Sequence, residues 1–219
     1  MRKTTYFTQS TIDSQSKKFL DEIKEMGLVN NRSQVNKNKI GLLVLDMQKY
    51  FLDPKSHAFI PSGPAIVRKI DTLVQVFKEN KRPIFFTKHQ NSSFSAGMME
   101  KWWNDLIQPF SEMAELIPEI DNSIGKTITK ENYDAFLGTS LELDLRSENI
   151  EQIVICGVMT HLCCESTARA AFMRNFEVFF MVDATATYSE QFHFASLLNL
   201  SHGFAKPVLS AEVINSFKQ

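Results

Sequence analysis

From residue 40 to residue 209 the chain alternates between two hydrophobic patterns. Short runs are apolar at nearly every position, and longer stretches between them repeat their apolar residues every three or four positions. The short runs lie at 40 to 45 (IGLLVL), 83 to 88, 127 to 129, 153 to 156 and 178 to 182, with a weaker one at 207 to 209. They are rich in β-branched and aromatic residues and read as strands. Stretches 65 to 80, 96 to 106, 140 to 148, 163 to 174 and 190 to 201 carry helical periodicity. Strands without polar alternation, separated by helices, predict an α/β fold with a parallel sheet covered on both faces.

Ahead of this pattern, IDSQSKKFLDEIKEMGL places Phe19, Leu20, Ile23 and Met26 at helical spacing before Gly27. A helix lying on the main domain is expected, followed by a loop or linker in VNNRSQVNKNK. The chain thus divides into an N-terminal helix and linker extension over 1–38 and a main domain over 39–219.

Open parallel sheets bind ligands beyond the carboxyl ends of their strands, at a switch point in strand order. The residues just past the expected strands are Asp46, His89 and Asn91, Lys130, the VMTHLCC turn and Asp183. An acid, a base and a thiol therefore share one rim, a sensible set for acyl transfer.

Cys163 and Cys164 are adjacent and need separating. For a helix running from near Leu162 to just before Asn175, Cys164, Ala168, Ala171 and Phe172 form an apolar stripe against the sheet, so Cys164 reads as a core residue. Cys163 falls on the face of Thr167, Ala170 and Arg174, in the first turn, where backbone N–H groups favour an anion. Its pKa is expected to be lowered there. Position alone leaves Cys163 open between a nucleophile and a small buried hydrophobe, whereas Cys156 reads as core.

Composition narrows the partners. Lys and Arg total 24 against 25 Asp and Glu, so no positive field is available to hold nucleic acid. Three cysteines make no disulfide framework and the N-terminus lacks a signal-peptide pattern, so a cytoplasmic location is expected. The longest apolar runs fall far short of the ~20 residues that span a bilayer, so no membrane partner is expected. Neither GxGxxG nor GxxxxGK[ST] occurs, and His57, His89, His161 and Cys163 lack the spacing of a metal loop. A small-molecule substrate with no cofactor and no metal is the expectation. Trp102 and Trp103 point to different faces of a helix, so that one can pack inward while the other lines a pocket or an interface.

Three blocks in order, LLVLDMQKYFL, TKENYDAFLGTSLELDLR and IVICGVMTHLCCESTARAAFMRNFEVFFMVDATAT, carry a resemblance. From about Lys39 onward the chain resembles the isochorismatase-like hydrolase (cysteine hydrolase) superfamily, which includes nicotinamidases, N-carbamoylsarcosine amidase, biuret and ureidoacrylate hydrolases and isochorismatases. The resemblance implies a Rossmann-like three-layer sandwich around a six-stranded, mainly parallel sheet. It implies a catalytic triad of Asp46, Lys130 and Cys163, a cis peptide between Val158 and Met159, and an oxyanion hole from the backbone N–H groups of Met159 and Cys163. Gln48, Phe51, Tyr133 and Phe136, inside the matched blocks, and His89, Asn91, Trp102 and Trp103, from their positions, are the expected substrate-binding residues. Members are commonly dimers or tetramers, so a homo-oligomer is expected.

Two departures from family patterns bear on the reaction. Nicotinamidases carry an Asp-x-His metal element after the second strand, where this chain has His89, Gln90 and Asn91. Isochorismatases share a similar histidine-containing turn and an AFMR helix but place Gly at the position of Cys163, because vinyl ether cleavage by proton transfer needs no thiol. The expectation is a metal-independent cysteine hydrolase that cleaves a C–N bond in a small amide or ureido compound through a thioester. Isochorismatase-type vinyl ether hydrolysis is the alternative, and a non-catalytic scaffold the third reading.

Overall fold

The computed structural model describes residues 2–29, 33–103 and 105–218. Six strands form one sheet: β1 Ile40–Leu45, β2 Ile84–His89, β3 Lys126–Lys130, β4 Gln152–Val158, β5 Glu177–Ala186 and β6 Lys206–Val208. Their order is β3-β2-β1-β4-β5-β6 and every pairing is parallel. All residues of β1 and β4 are buried, as strands covered on both faces require. β3 lies at an edge and buries only Ile128 and Lys130, which is why its hydrophobic signal is short.

The helices are α1 Ile12–Glu25, α2 Lys49–Leu52, α3 Gly63–Glu79, α4 Met98–Trp103, α5 Leu141–Ser147, α6 Glu165–Met173, α7 Glu190–Gly203 and α8 Ser210–Lys218. From β1 the chain winds outward to β2 and β3, then returns to β4 and winds the other way to β5 and β6. Right-handed crossovers in opposite directions place α3 on one face and α6 and α7 on the other. α8 packs against α3, and α6 against α7. The switch in strand order therefore falls between β1 and β4. Close approach there requires Gly157, which has φ +112° and whose Cβ would stand 2.1 Å from the carbonyl oxygen of Leu45.

Several expectations shift. α4 is shorter than the periodicity of 96 to 106 suggested, and Asn104 within that stretch lies outside the described residues, as do 30–32 of the expected linker. Met26 lies past the end of α1 and is 52 % exposed, while Phe19, Leu20 and Ile23 are buried. Phe172 leaves the expected stripe and packs edge-on against Phe204 instead. The turn Thr160–Cys164 is a π turn, and the wider turn resets the helical phase ahead of α6, where Ala168 and Ala171 keep the buried side. Asp183 lies inside β5, which runs on to Ala186, and accepts from the backbone N–H (2.8 Å) and hydroxyl (2.6 Å) of Ser210, capping α8 rather than facing the rim. α8 itself has no counterpart in the sequence reading.

Residues 2–29 are built into the same hydrophobic core as the sheet. Tyr6, Phe7, Ile12, Phe19 and Ile23 join its central cluster. Among the described residues no helix is long and apolar enough to cross a membrane.

Candidate active site

At the switch point the chain after β1 turns sharply. Asp46 has φ +52°, a left-handed conformation that Asp tolerates better than most residues, and its carboxylate is completely buried. Oδ1 accepts from the Thr87 hydroxyl of β2 at 2.6 Å, and Oδ2 lies 2.8 Å from Lys130 Nζ at the end of β3. Lys130 Nζ also donates to the Asn132 carbonyl (2.9 Å) and to Cys163 Sγ (3.3 Å), and stands 3.3 Å from His89 Nδ1. One ammonium thus holds together side chains delivered by β1, β2, β3 and the turn after β4.

The charges follow from this packing. Burial pushes the Asp46 carboxyl upward, but Lys130 and then His89 and Cys163 outweigh it and hold the group below its ordinary range. Burial pulls Lys130 down, yet Asp46 and Cys163 leave it raised. Cys163 is different: burial and the neighbouring Asp46 carboxylate push its thiol up to about 12, with Lys130 countering only in part. This corrects the expected lowering. Cys163 is 4 % exposed, so loss of solvation exceeds what a helix end returns. The resting site is a carboxylate, an ammonium and a neutral thiol.

The turn that carries Cys163 begins at a cis peptide between Val158 and Met159. Met159 and Cys163 line one cavity of about 570 Å³, counting its open mouth. Phe51, His89, Asn91, Trp103 and Tyr133, all expected at the site, line it too. Tyr50, Asp105 and Tyr188, which the sequence reading did not single out, also line it, as does Leu162 of the turn before Cys163. Tyr188 is the second residue past β5, within reach of the strand-end rule; Tyr50 sits inside the first matched block. Trp103 Nε1 donates to the Tyr133 hydroxyl at 2.5 Å, closing one side.

Three expected binding residues face elsewhere. Gln48 is fully buried: Nε2 donates to the carbonyls of His89 (2.9 Å) and Ala114 (2.8 Å), and Oε1 accepts from His89 N–H (2.8 Å). Its amide is consumed in holding the ends of β1 and β2 together. Phe136 stacks on Phe176 at 5.9 Å and lies under the Arg174 guanidinium, in the core. Trp102 is 72 % exposed and belongs to the outer vestibule, so neither tryptophan of α4 packs inward.

Asp46, His89 and Cys163 offer ligand atoms within 4.8 Å of one another, which raises the question of a metal. The residues do not fit one. The Lys130 ammonium already lies among those three donors, so a divalent ion would meet a fixed positive charge. His89 Nε2 and Asn91 Oδ1 are spent on each other at 2.8 Å. Asn91 Nδ2 donates to the Glu131 carbonyl, which turns Oδ1 toward the ring and makes Nε2 the protonated nitrogen of a neutral imidazole. Burial and Lys130 hold His89 down at about 4, in keeping with that form.

Known proteins share the sequence pattern and the fold of this chain. A family model described as the isochorismatase domain matches residues 41–212. Nicotinamidase 3 of Arabidopsis thaliana is 37 % identical over 175 residues, covering 78 % of this chain and 84 % of the relative. A cysteine hydrolase structure from Pseudomonas syringae pv. phaseolicola 1448A superposes with a TM-score of 0.82 at 24 % identity, over 87 % of this chain and 96 % of that one. A pyrazinamidase from Pyrococcus horikoshii, solved in complex with zinc, gives a TM-score of 0.70 at 27 % identity, over 78 % and 99 % of the two chains.

Proposed function

The chain belongs to the isochorismatase family, and on that premise we propose that it is a metal-independent cysteine hydrolase. It cleaves the C–N bond of a small, flat amide or ureido compound through a thioester on Cys163. The observation that carries this reading is Lys130 Nζ, 2.8 Å from Asp46 Oδ2 and 3.3 Å from Cys163 Sγ on the floor of an aromatic-walled cavity.

Because the thiol rests protonated, proton transfer accompanies attack instead of preceding it. Asp46 takes the thiol proton as Sγ bonds to the carbonyl carbon, and the carbonyl electron pair moves onto oxygen. The backbone N–H groups of Met159 and Cys163 receive that oxyanion, a role whose loss typically costs about 10²–10³ in rate. Lys130 stays protonated and balances the negative charge as it moves from the carboxylate to the developing oxyanion. Collapse of the intermediate breaks the C–N bond, and Asp46 returns its proton to the departing amine. Water, deprotonated by Asp46, then hydrolyses the thioester and restores the thiol.

Tyr50, Phe51, Trp103, Tyr133 and Tyr188 supply flat faces suited to a planar substrate. No cofactor enters any step. A panel of primary amides, ureas and isochorismate, read by ammonia release and product detection, tests the reading. Amide or urea turnover that disappears in Cys163→Ala supports it. Isochorismate turnover that survives Cys163→Ala replaces it with vinyl ether hydrolysis.

A further inference from the structure

The N-terminal residues lie outside the span matched by the family model, yet they reach the mouth of the cavity. Outside the aromatic walls is a wider vestibule, and Lys3 lines it with Trp103, Tyr133, Leu162, Tyr188 and Phe192. Lys3 Nζ donates to the carbonyls of His57 (2.5 Å) and Phe59 (3.0 Å) and lies 4.2 Å from the centre of the Tyr188 ring. The first two residues belong to the segment between α2 and α3; the third follows β5. One cation thus joins two lips of the cavity that no strand or helix connects.

Neighbouring residues hold this segment in place. Thr4 N–H donates to the Tyr188 carbonyl at 2.8 Å, and Thr187 N–H donates to the Tyr6 hydroxyl at 2.9 Å. The backbone N–H groups of Tyr6 and Phe7 both donate to the Ser62 hydroxyl (2.9 and 3.1 Å). Behind them the Tyr6 and Phe7 rings pack on His193, whose Nδ1 lies 3.0 Å from the hydroxyl of Thr160 in the turn that carries Cys163. Lys3 is therefore the outermost point of a strand of chain anchored down to the catalytic turn. A charge-assisted donor to two carbonyls that also covers an aromatic face is stronger than an ordinary surface contact.

We propose that Lys3 is a positioning residue of the active-site mouth: by clasping the 57–59 segment to Tyr188 it sets the width of the entrance and so the size of molecule that reaches Cys163. The inference requires Cys163 at the cavity floor and does not depend on the reaction assigned to it.

Alkylation of Cys163 by two iodoacetamides of different size therefore tests it whether or not any amide is turned over. Iodoacetamide itself and N-phenyl-iodoacetamide are applied at pH 9 to the parent, Lys3→Met and Lys3→Arg proteins, and adducts on Cys163 are followed by peptide mass spectrometry. In Lys3→Met the rate ratio of the bulky to the small reagent rises about tenfold, the scale of one lost hydrogen bond at the weak end of the charge-assisted range. Lys3→Arg, which keeps the charge and the donors, returns the ratio to near the parent value, and the thermal midpoint changes little in either variant. An unchanged ratio in Lys3→Met overturns the proposal. So does an equal rise for both reagents with a lowered midpoint, which marks general loosening, or a rise that Lys3→Arg fails to reverse.

Discussion

Lys130 and Asp46 form an ion pair at 2.8 Å with both side chains completely shielded from solvent, and Cys163 Sγ lies against the same ammonium at 3.3 Å. A buried pair of this kind is weak evidence for stability, because desolvation consumes most of the attraction. Its partners serve each other through charge: each keeps the other ionised beside a thiol that is not.

Breaking the pair strands a charge. Lys130→Met leaves a buried carboxylate without its cation and is expected to cost about 3–5 kcal/mol of folding stability, with turnover lost. Urea unfolding of parent and variant measures the first and ammonia release the second. A loss of turnover without loss of stability would mean that the pair is not sealed from water.

Asp46→Asn separates nucleophile chemistry from catalysis. Burial pushes the Cys163 thiol up first, and the Asp46 carboxylate adds to it. Removing that negative charge leaves the sulfur as the one group touching Lys130 that can become an anion, so the thiol pKa falls, and one unit of fall is about tenfold more thiolate near neutral pH. Iodoacetamide should label Cys163 faster in Asp46→Asn than in the parent, although turnover is abolished for want of a proton carrier. Slower labelling in the variant would show that Asp46 already generates a thiolate at rest.

Buried neutral histidines predict an acid limit. Burial holds His193 at about 3 and, with smaller charge effects, His89 and His161 at about 4. Unfolded, each titrates near 6.5, so between that pH and about 4 the unfolded chain binds more protons and stability falls as pH falls. His193, fully buried, contributes a loss of a few kcal/mol. Thermal midpoints from pH 7 to pH 4 should drop less steeply in His193→Gln than in the parent. Parallel profiles would contradict the assignment.

Gln48 should behave as a structural clamp. Gln48→Ala leaves the His89 N–H and two carbonyls without their partners and is expected to destabilise by about 1–3 kcal/mol. Trp103→Phe, which removes the donor to Tyr133 in the cavity wall, should instead raise KM, while Trp102→Ala should leave it near the parent value. Steady-state kinetics paired with thermal melts distinguish the two behaviours.

Strands covered on both faces were the most legible part of the fold: β1 occupies the six residues of IGLLVL because every one of them is buried. Edge strand β3 was read short because three of its five residues face solvent. α8 is short, and the Ser210 side chain and backbone N–H at its start are held by Asp183, 27 residues earlier in the chain and inside β5; the local cap, Glu212 accepting from Leu209 N–H at 2.9 Å, is a weak signal by itself. At the site, Asp46, Lys130 and Cys163 were all readable as strand-end chemistry, and the structure brings them together. The protonation state of the thiol was not readable, since helix phase reports a favourable dipole but not the burial that outweighs it. Gln48 and Phe136 lie within motifs beside the site, yet only three-dimensional contacts reveal that both are spent on the scaffold. Lys3 sits in a polar stretch without periodicity, and its place at the mouth is fixed by partners 54 and 56 residues away.

The thioester on Cys163 is the central claim, and trapping it is the most direct test. The best amide from the panel is mixed with enzyme, quenched in acid during the first turnover and mapped by peptide mass spectrometry. An acyl adduct on the Cys163 peptide, absent in Cys163→Ala, which also fails to release ammonia, is the predicted result. Ammonia release at the parent rate by Cys163→Ala would contradict the account.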